Sequence, residues 1–88
     1  MSIFDAHREW SLETFDQTPD NMFLHLEDEL VELRKELVGR TDKLPEELAD
    51  IVFMVNSIAS RLEIDLEGEM WRKLEVNKER VWKHGRHV

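Results

Sequence analysis

Four carboxylates in two short runs are the residues best suited to chemistry in this sequence. Glu29 and Glu32 lie three apart, and so do Glu47 and Asp50. On a helix turning about 100° per residue, a step of three leaves two side chains roughly 60° apart on one face. Each pair flanks apolar neighbours: Leu26, Leu30 and Leu33 around the first, Leu48 and Ile51 around the second. The acids therefore sit at the edge of a buried face, and two helices paired antiparallel would bring all four together. Carboxylates so close repel unless a cation lies between them. Oxygen-only ligands suit Mg²⁺ or Mn²⁺, ions that polarise phosphoryl oxygens and activate water. In a chain with 20 acids such pairs also arise on solvated helix faces, and spacing alone leaves both readings open. A di-iron centre is excluded by ligand type, because none of His7, His25, His84 and His87 has a Glu three residues before it.

A second set is basic. Lys73, Asn77, Arg80 and His84 recur at steps of four, three and four, so they share one helix face. Two cations and an amide there could hold phosphate oxygens, Arg80 bidentately. Basic residues late in a helix also simply complement its dipole. Asn77 is the exception, since it falls on the apolar stripe, where a polar amide needs a reason. Trp10, Trp71 and Trp82 read as core or interface anchors, while Trp10 with Phe15 could also stack on a base. His25, one turn before Glu29, could reach a phosphate or sit at the core edge.

With three Gly and two Pro the chain has few breaks, and the pattern predicts four helices and an all-α bundle. The first covers about 3–15, with Ile3, His7, Trp10 and Thr14 on one face. A turn over 16–20 contains Pro19, and Asp20 is the expected cap of the second helix, which runs to about Val38. Phe23, Leu26, Leu30, Leu33 and Leu37 form its apolar stripe, and Gly39 is the expected stop. After a connection over 41–44, Pro45 occupies a first helical turn. The third helix is expected to turn Leu48, Ile51, Val52, Val55, Ile58, Ala59 and Leu62 inward. Asp65 caps a fourth over about 66–83, using Met70, Leu74 and Val81, with a frayed tail over 84–88.

Residues 1–88 read as a single domain, too short to bury more than about 60–65% of its unfolded surface. Hydrophobic content of 41% supports a core, and 36% charged residues leave little room for a large one. Oligomerisation, as a homodimer or homotetramer, is the expected supplement. A net charge of −8 argues against nucleic-acid polymers and anionic membranes as partners. Cysteine is absent, the first residues lack a signal-peptide pattern, and no apolar run nears the roughly 20 residues of a membrane span. The expected setting is the cytoplasm.

Together these segments resemble the MazG-like all-α nucleoside triphosphate pyrophosphohydrolases. His25-Leu-Glu-Asp-Glu29-Leu-Val-Glu32-Leu is similar to the family's first Glu-x-x-Glu helix, and Glu46-Glu47-Leu-Ala-Asp50-Ile to its Glu-x-x-Asp helix. Lys73-x-x-x-Asn77-x-x-Arg80-x-Trp82 is similar to its C-terminal element, and Trp10-Ser11-x-x-Thr14-Phe15 resembles a phage-associated dATP/dGTP diphosphohydrolase-like branch. Asp28 stands where Glu is commoner, and Asp16 where that branch has Gly. The resemblance implies hydrolysis of a small-molecule (deoxy)nucleoside triphosphate between its α and β phosphates, giving monophosphate and pyrophosphate. It implies that Glu29, Glu32, Glu47 and Asp50 hold Mg²⁺, with Mn²⁺ as a substitute, and that one of them or a neighbour orients the attacking water. Lys73, Asn77 and Arg80 would contact phosphates or brace the site; Trp10 and His25, from the residue reading above, complete the expected substrate contacts. Nucleotide-pool control or house-cleaning is the implied role. The alternative is a non-enzymatic acidic helical protein whose Glu stripes are a contact face for a regulatory partner. It predicts little response to Mg²⁺, whereas the enzyme predicts metal-dependent stabilisation.

Overall fold

A computed structural model describes the backbone of residues 1–84 and the side chains of residues 1–80. Within them the chain folds as α1 (Ile3–Thr14), α2 (Pro19–Gly39), α3 (Leu44–Arg61) and α4 (Leu66–His84), with no strand among the described residues. The all-α expectation holds. The side chains expected of Val81, Trp82, His84 and His87, and the tail 85–88, lie outside the described residues.

Local signals explain the boundaries. Ser2 caps α1 by accepting from the Asp5 amide at 3.2 Å. Thr18, not Asp20, caps α2, accepting from the Asn21 amide at 3.1 Å, with Pro19 opening the helix. Asp20 instead lies inside the first turn, where its charge complements the exposed amides. Gly39 is still helical, and the stop falls on Arg40, which takes the left-handed conformation at φ 49°. Arg40 Nη1 donates to the Leu37 carbonyl at 2.7 Å, and the Thr41 hydroxyl bonds the Glu36 carboxylate, so the reversal into α3 is tied down. Asp65 caps α4 as expected, accepting from the Gly68 amide at 3.2 Å. A Cβ on Gly68 would come within 2.5 Å of that carboxylate, so glycine lets the cap close.

α2 and α3 form an antiparallel hairpin, α1 lies along another side of α3, and α4 touches α3 more sparsely. The radius of gyration is 15.2 Å, against about 12 Å for a compact domain of this length. The buried residues differ from the expected core. Among the described residues, Ala59, as expected, and Met22 are the buried apolar side chains, and the other buried ones are His7, Ser11, Asn56, Ser57 and Ser60. Leu26 and Leu33 on α2 and Ile51 and Ile58 on α3 are half-buried. Leu48, Val52, Val55 and Leu62, expected to point inward, remain exposed, as do Phe23, Leu30, Leu37, Met70 and Leu74. The reason is geometric. Their helices carry apolar faces wider than one chain's neighbours can cover.

The seam between α1 and α3 is polar. Ser11 Oγ and Ser57 Oγ are 2.8 Å apart, and Ser11 is fully buried. Arg61 reaches across with donors to the carbonyls of Ser11 (3.0 Å), Phe15 (2.9 Å) and Gln17 (3.0 Å) and to Ser11 Oγ (3.0 Å). It thereby fastens the end of α1 and the following loop. Small side chains on both helices allow the close approach that these bonds need.

Candidate functional site

The antiparallel pairing of α2 and α3 gathers Glu29, Glu47 and Asp50, each offering a carboxylate oxygen within 4.8 Å of the others. Glu29 and Glu47 are half-buried, on the faces the two helices turn to each other, while Asp50 lies exposed at the rim. Glu47 Oε2 is buried and has no hydrogen-bond partner. Burial first, then the charge of Glu29, then those of Asp50 and Glu36, push the Glu47 carboxyl above its ordinary range. A buried acceptor without a donor, among like charges, is the environment a cation relieves. The oxygen-only donor set suits Mg²⁺ or Mn²⁺.

Glu32 is placed differently. It is exposed, one turn beyond Glu29, and pairs with Lys35 at 3.3 Å. An exposed pair of this kind contributes little to stability, so the carboxylate is free to exchange partners.

Beside the carboxylates opens a cleft of about 690 Å³, within the range of small-ligand sites. Glu29 and Asp50 line it together with His25, Trp10 and Phe15. From Asp50 the wall continues along α3 through Phe53 and Met54 to Ser57, about 10 Å at the helical rise. The far wall comes from α1 and the loop after it. Trp10 and Phe15 meet edge to face with centroids 5.3 Å apart, and His7 stacks on Phe53 at 4.5 Å and 12°. An acidic stretch and an aromatic one thus share a cavity, an arrangement able to take a cation-bridged polyanion joined to a flat ring.

Of the residues expected to contact substrate, Trp10 and His25 line this cleft. Lys73 and Asn77 do not. They line a second cleft of about 450 Å³ with Phe4, Met70 and Trp71, while Arg80 is exposed on the same helix. Asn77 Oδ1 is buried without a partner, in keeping with an amide that interrupts an apolar stripe.

Sequence reasoning missed His7, Phe53 and the seam that holds them. Asn56 Nδ2 lies 3.0 Å from the Phe4 carbonyl and 3.1 Å from His7 Nδ1. The signal was present in α3, where Asn56-Ser57 and Ser60-Arg61 break the apolar run at a four-residue spacing. Such a polar stripe on a central helix marks a second packed face.

A model of the dATP/dGTP pyrophosphohydrolase family matches residues 3–88, and the chain belongs to that family. No curated protein and no solved structure shows significant similarity to it.

Proposed function

We propose that the protein hydrolyses dATP and dGTP to the monophosphate and pyrophosphate in a Mg²⁺-dependent reaction, acting in control of the nucleotide pool. One observation carries this reading beyond the family match: Glu29 and Asp50 line the same cleft as Trp10, Phe15 and Phe53. The base would lie among the aromatic rings and the triphosphate would extend towards the carboxylates. Glu29, Glu47 and Asp50, joined by Glu32 released from Lys35, would hold Mg²⁺ or Mn²⁺. When bound, the cation supplies neutralisation of the phosphate charge. One of the carboxylates would orient the attacking water, whose oxygen bonds to the α phosphorus as the bridge to the β phosphate breaks.

The reading includes a homodimer or homotetramer. Leu48, Val52, Val55 and Leu62 form one exposed stripe on α3, and Leu24, Val31 and Val38 recur every seven residues on α2. Lys73, Asn77 and Arg80, apart from the carboxylate cleft of their own chain, would serve the phosphates of a neighbouring copy. Residues 1–88 would act as one domain on free nucleotides in the cytoplasm, without nucleic-acid polymers or membranes as partners. Among the described residues, no helix is long and apolar enough to cross a membrane.

The test is pyrophosphate release from the canonical dNTPs and NTPs, with Mg²⁺ and with EDTA. Release that is strongest from dATP and dGTP and abolished by EDTA is expected. Absence of release from any of them, with Mn²⁺ also tried, would refute the reading.

A further inference from the structure

His7 has a fixed tautomer and an unused donor. The Phe4 carbonyl can only accept, so the Asn56 atom 3.0 Å away is its amide nitrogen. That nitrogen also lies 3.1 Å from His7 Nδ1 and can only donate, so Nδ1 holds its lone pair there. The proton of the neutral ring is therefore on Nε2. A charged ring would set one N–H against another, and burial, followed by the Arg61 charge, also disfavours it.

The ring is held in place by its stack on Phe53 and stands 5.9 Å from Trp10, on the wall of the carboxylate cleft. No side chain or carbonyl among the described residues accepts from Nε2, nor is it among the buried polar atoms left unpartnered. His7 thus offers the cleft an N–H donor of fixed orientation, set beside the rings of Phe53, Trp10 and Phe15.

A donor fixed in this way selects by what it meets. Adenine and guanine differ at position 6, an amino donor in one and a carbonyl acceptor in the other, so a donor aimed there would separate them. Both carry the N7 acceptor, and pyrimidines have no ring nitrogen at that edge. N3 is shared too, but the pyrimidine O2 imitates it. We propose that His7 Nε2–H reads N7 of the purine ring, which makes it the residue that admits both purine deoxynucleotides and disfavours pyrimidines. The inference rests on the reading that this cleft takes a deoxynucleoside triphosphate, and it adds the atom that sets base choice.

The experiment compares dATP and dGTP with their 7-deaza and 3-deaza analogues, by calorimetric binding with Ca²⁺ in place of Mg²⁺ and by kcat/KM with Mg²⁺. The 7-deaza compounds should bind about 10–100-fold more weakly, the loss expected when a positioned donor faces a C–H. The 3-deaza compounds should bind like the parents. His7→Asn keeps an acceptor for Asn56 but stops short of the Nε2 position, so it should bind dATP and 7-deaza-dATP to within about twofold. His7→Gln places an amide N–H near that position and should restore part of the preference. Equal binding of parent and 7-deaza compounds by the wild type overturns the inference, as does a loss confined to the 3-deaza series or no purine binding at all. The wild-type comparison decides even if a variant fails to fold. Binding that discriminates at N7 without pyrophosphate release would refute the proposed reaction and leave the base reading standing.

Discussion

Replacing Arg61 by Met removes the guanidinium while keeping a long apolar stem, and it tests what fastens α1 to α3. Five donor contacts disappear: to Gln17 O, Ser11 Oγ, Ser57 O, Ser11 O and Phe15 O. They do not count equally. Ser11 O retains its helical bond from the Phe15 amide at 3.0 Å, and Ser11 Oγ retains Ser57 Oγ. Only Phe15 O and Gln17 O lose the partner that holds them, and both lie where water can reach. The cost is therefore the net worth of a few charged hydrogen bonds rather than the larger penalty of orphaned buried groups, about 2–3 kcal/mol. For a chain of this size that lowers Tm by about 10–20 °C. Urea unfolding followed by circular dichroism measures it, at unchanged slope. Because Phe15 and Gln17 line the cleft, KM for dATP should rise more than kcat falls. A stability change below about 0.5 kcal/mol, the scale of an ordinary surface substitution, would show that α1 is held by something other than this seam.

Glu29→Gln or Asp50→Asn should leave the helical signal intact and lower pyrophosphate release by at least about 100-fold, the upper end of what losing even an outer-sphere partner costs. Wild type at about 100 times Kd of Mn²⁺ should gain roughly 2.7 kcal/mol of stability, and either variant should lose most of that gain in a thermal melt. His7 has a lowered pKa, so the unfolded chain binds its proton first as pH falls. Its contribution is complete above the ordinary value of 6.5, shrinks as pH drops through the folded pKa, and should be missing from the urea-unfolding pH profile of His7→Asn. Val52→Glu lies on the exposed stripe of α3; light scattering should find a multiple of 10.5 kDa for wild type and a smaller mass for the variant. An unchanged mass would take the interface off that stripe.

The periodicity of α2 and α3 made their hairpin, and with it the meeting of Glu29, Glu47 and Asp50, readable without coordinates. Helix ends were legible to within a few residues, and the miss at Thr18 arose because Pro19 is the first residue of α2 rather than part of the turn before it. The wider error lay in equating apolar with inward. Leu48, Val52, Val55 and Leu62 have the spacing of a core face, but spacing does not say whether the chain itself supplies the cover. The opposite error hid the α1 seam. Asn56, Ser57 and Ser60 look like solvated positions until a second helix with Ser11 and His7 is laid against them. Side-chain partners such as Lys35 for Glu32 depend on rotamers that no spacing rule sets.

The hydrogen bond between Ser11 and Ser57 joins positions 46 residues apart in the chain, whereas the α2–α3 hairpin closes through a short local turn. Loop-closure entropy then orders the assembly: the hairpin with its carboxylates can form early, and α1 must be recruited from afar. What α1 brings is the aromatic wall of the cleft, attached largely by polar contacts rather than by a large apolar area. Reversible opening of α1 is therefore a cheaper excursion than separation of the hairpin, and its amides should exchange hydrogen before those of α2 and α3. The carboxylate half of the cleft outlasts the aromatic half in such an excursion. A bound purine, clasping both, would slow exchange across α1 far more than across α3.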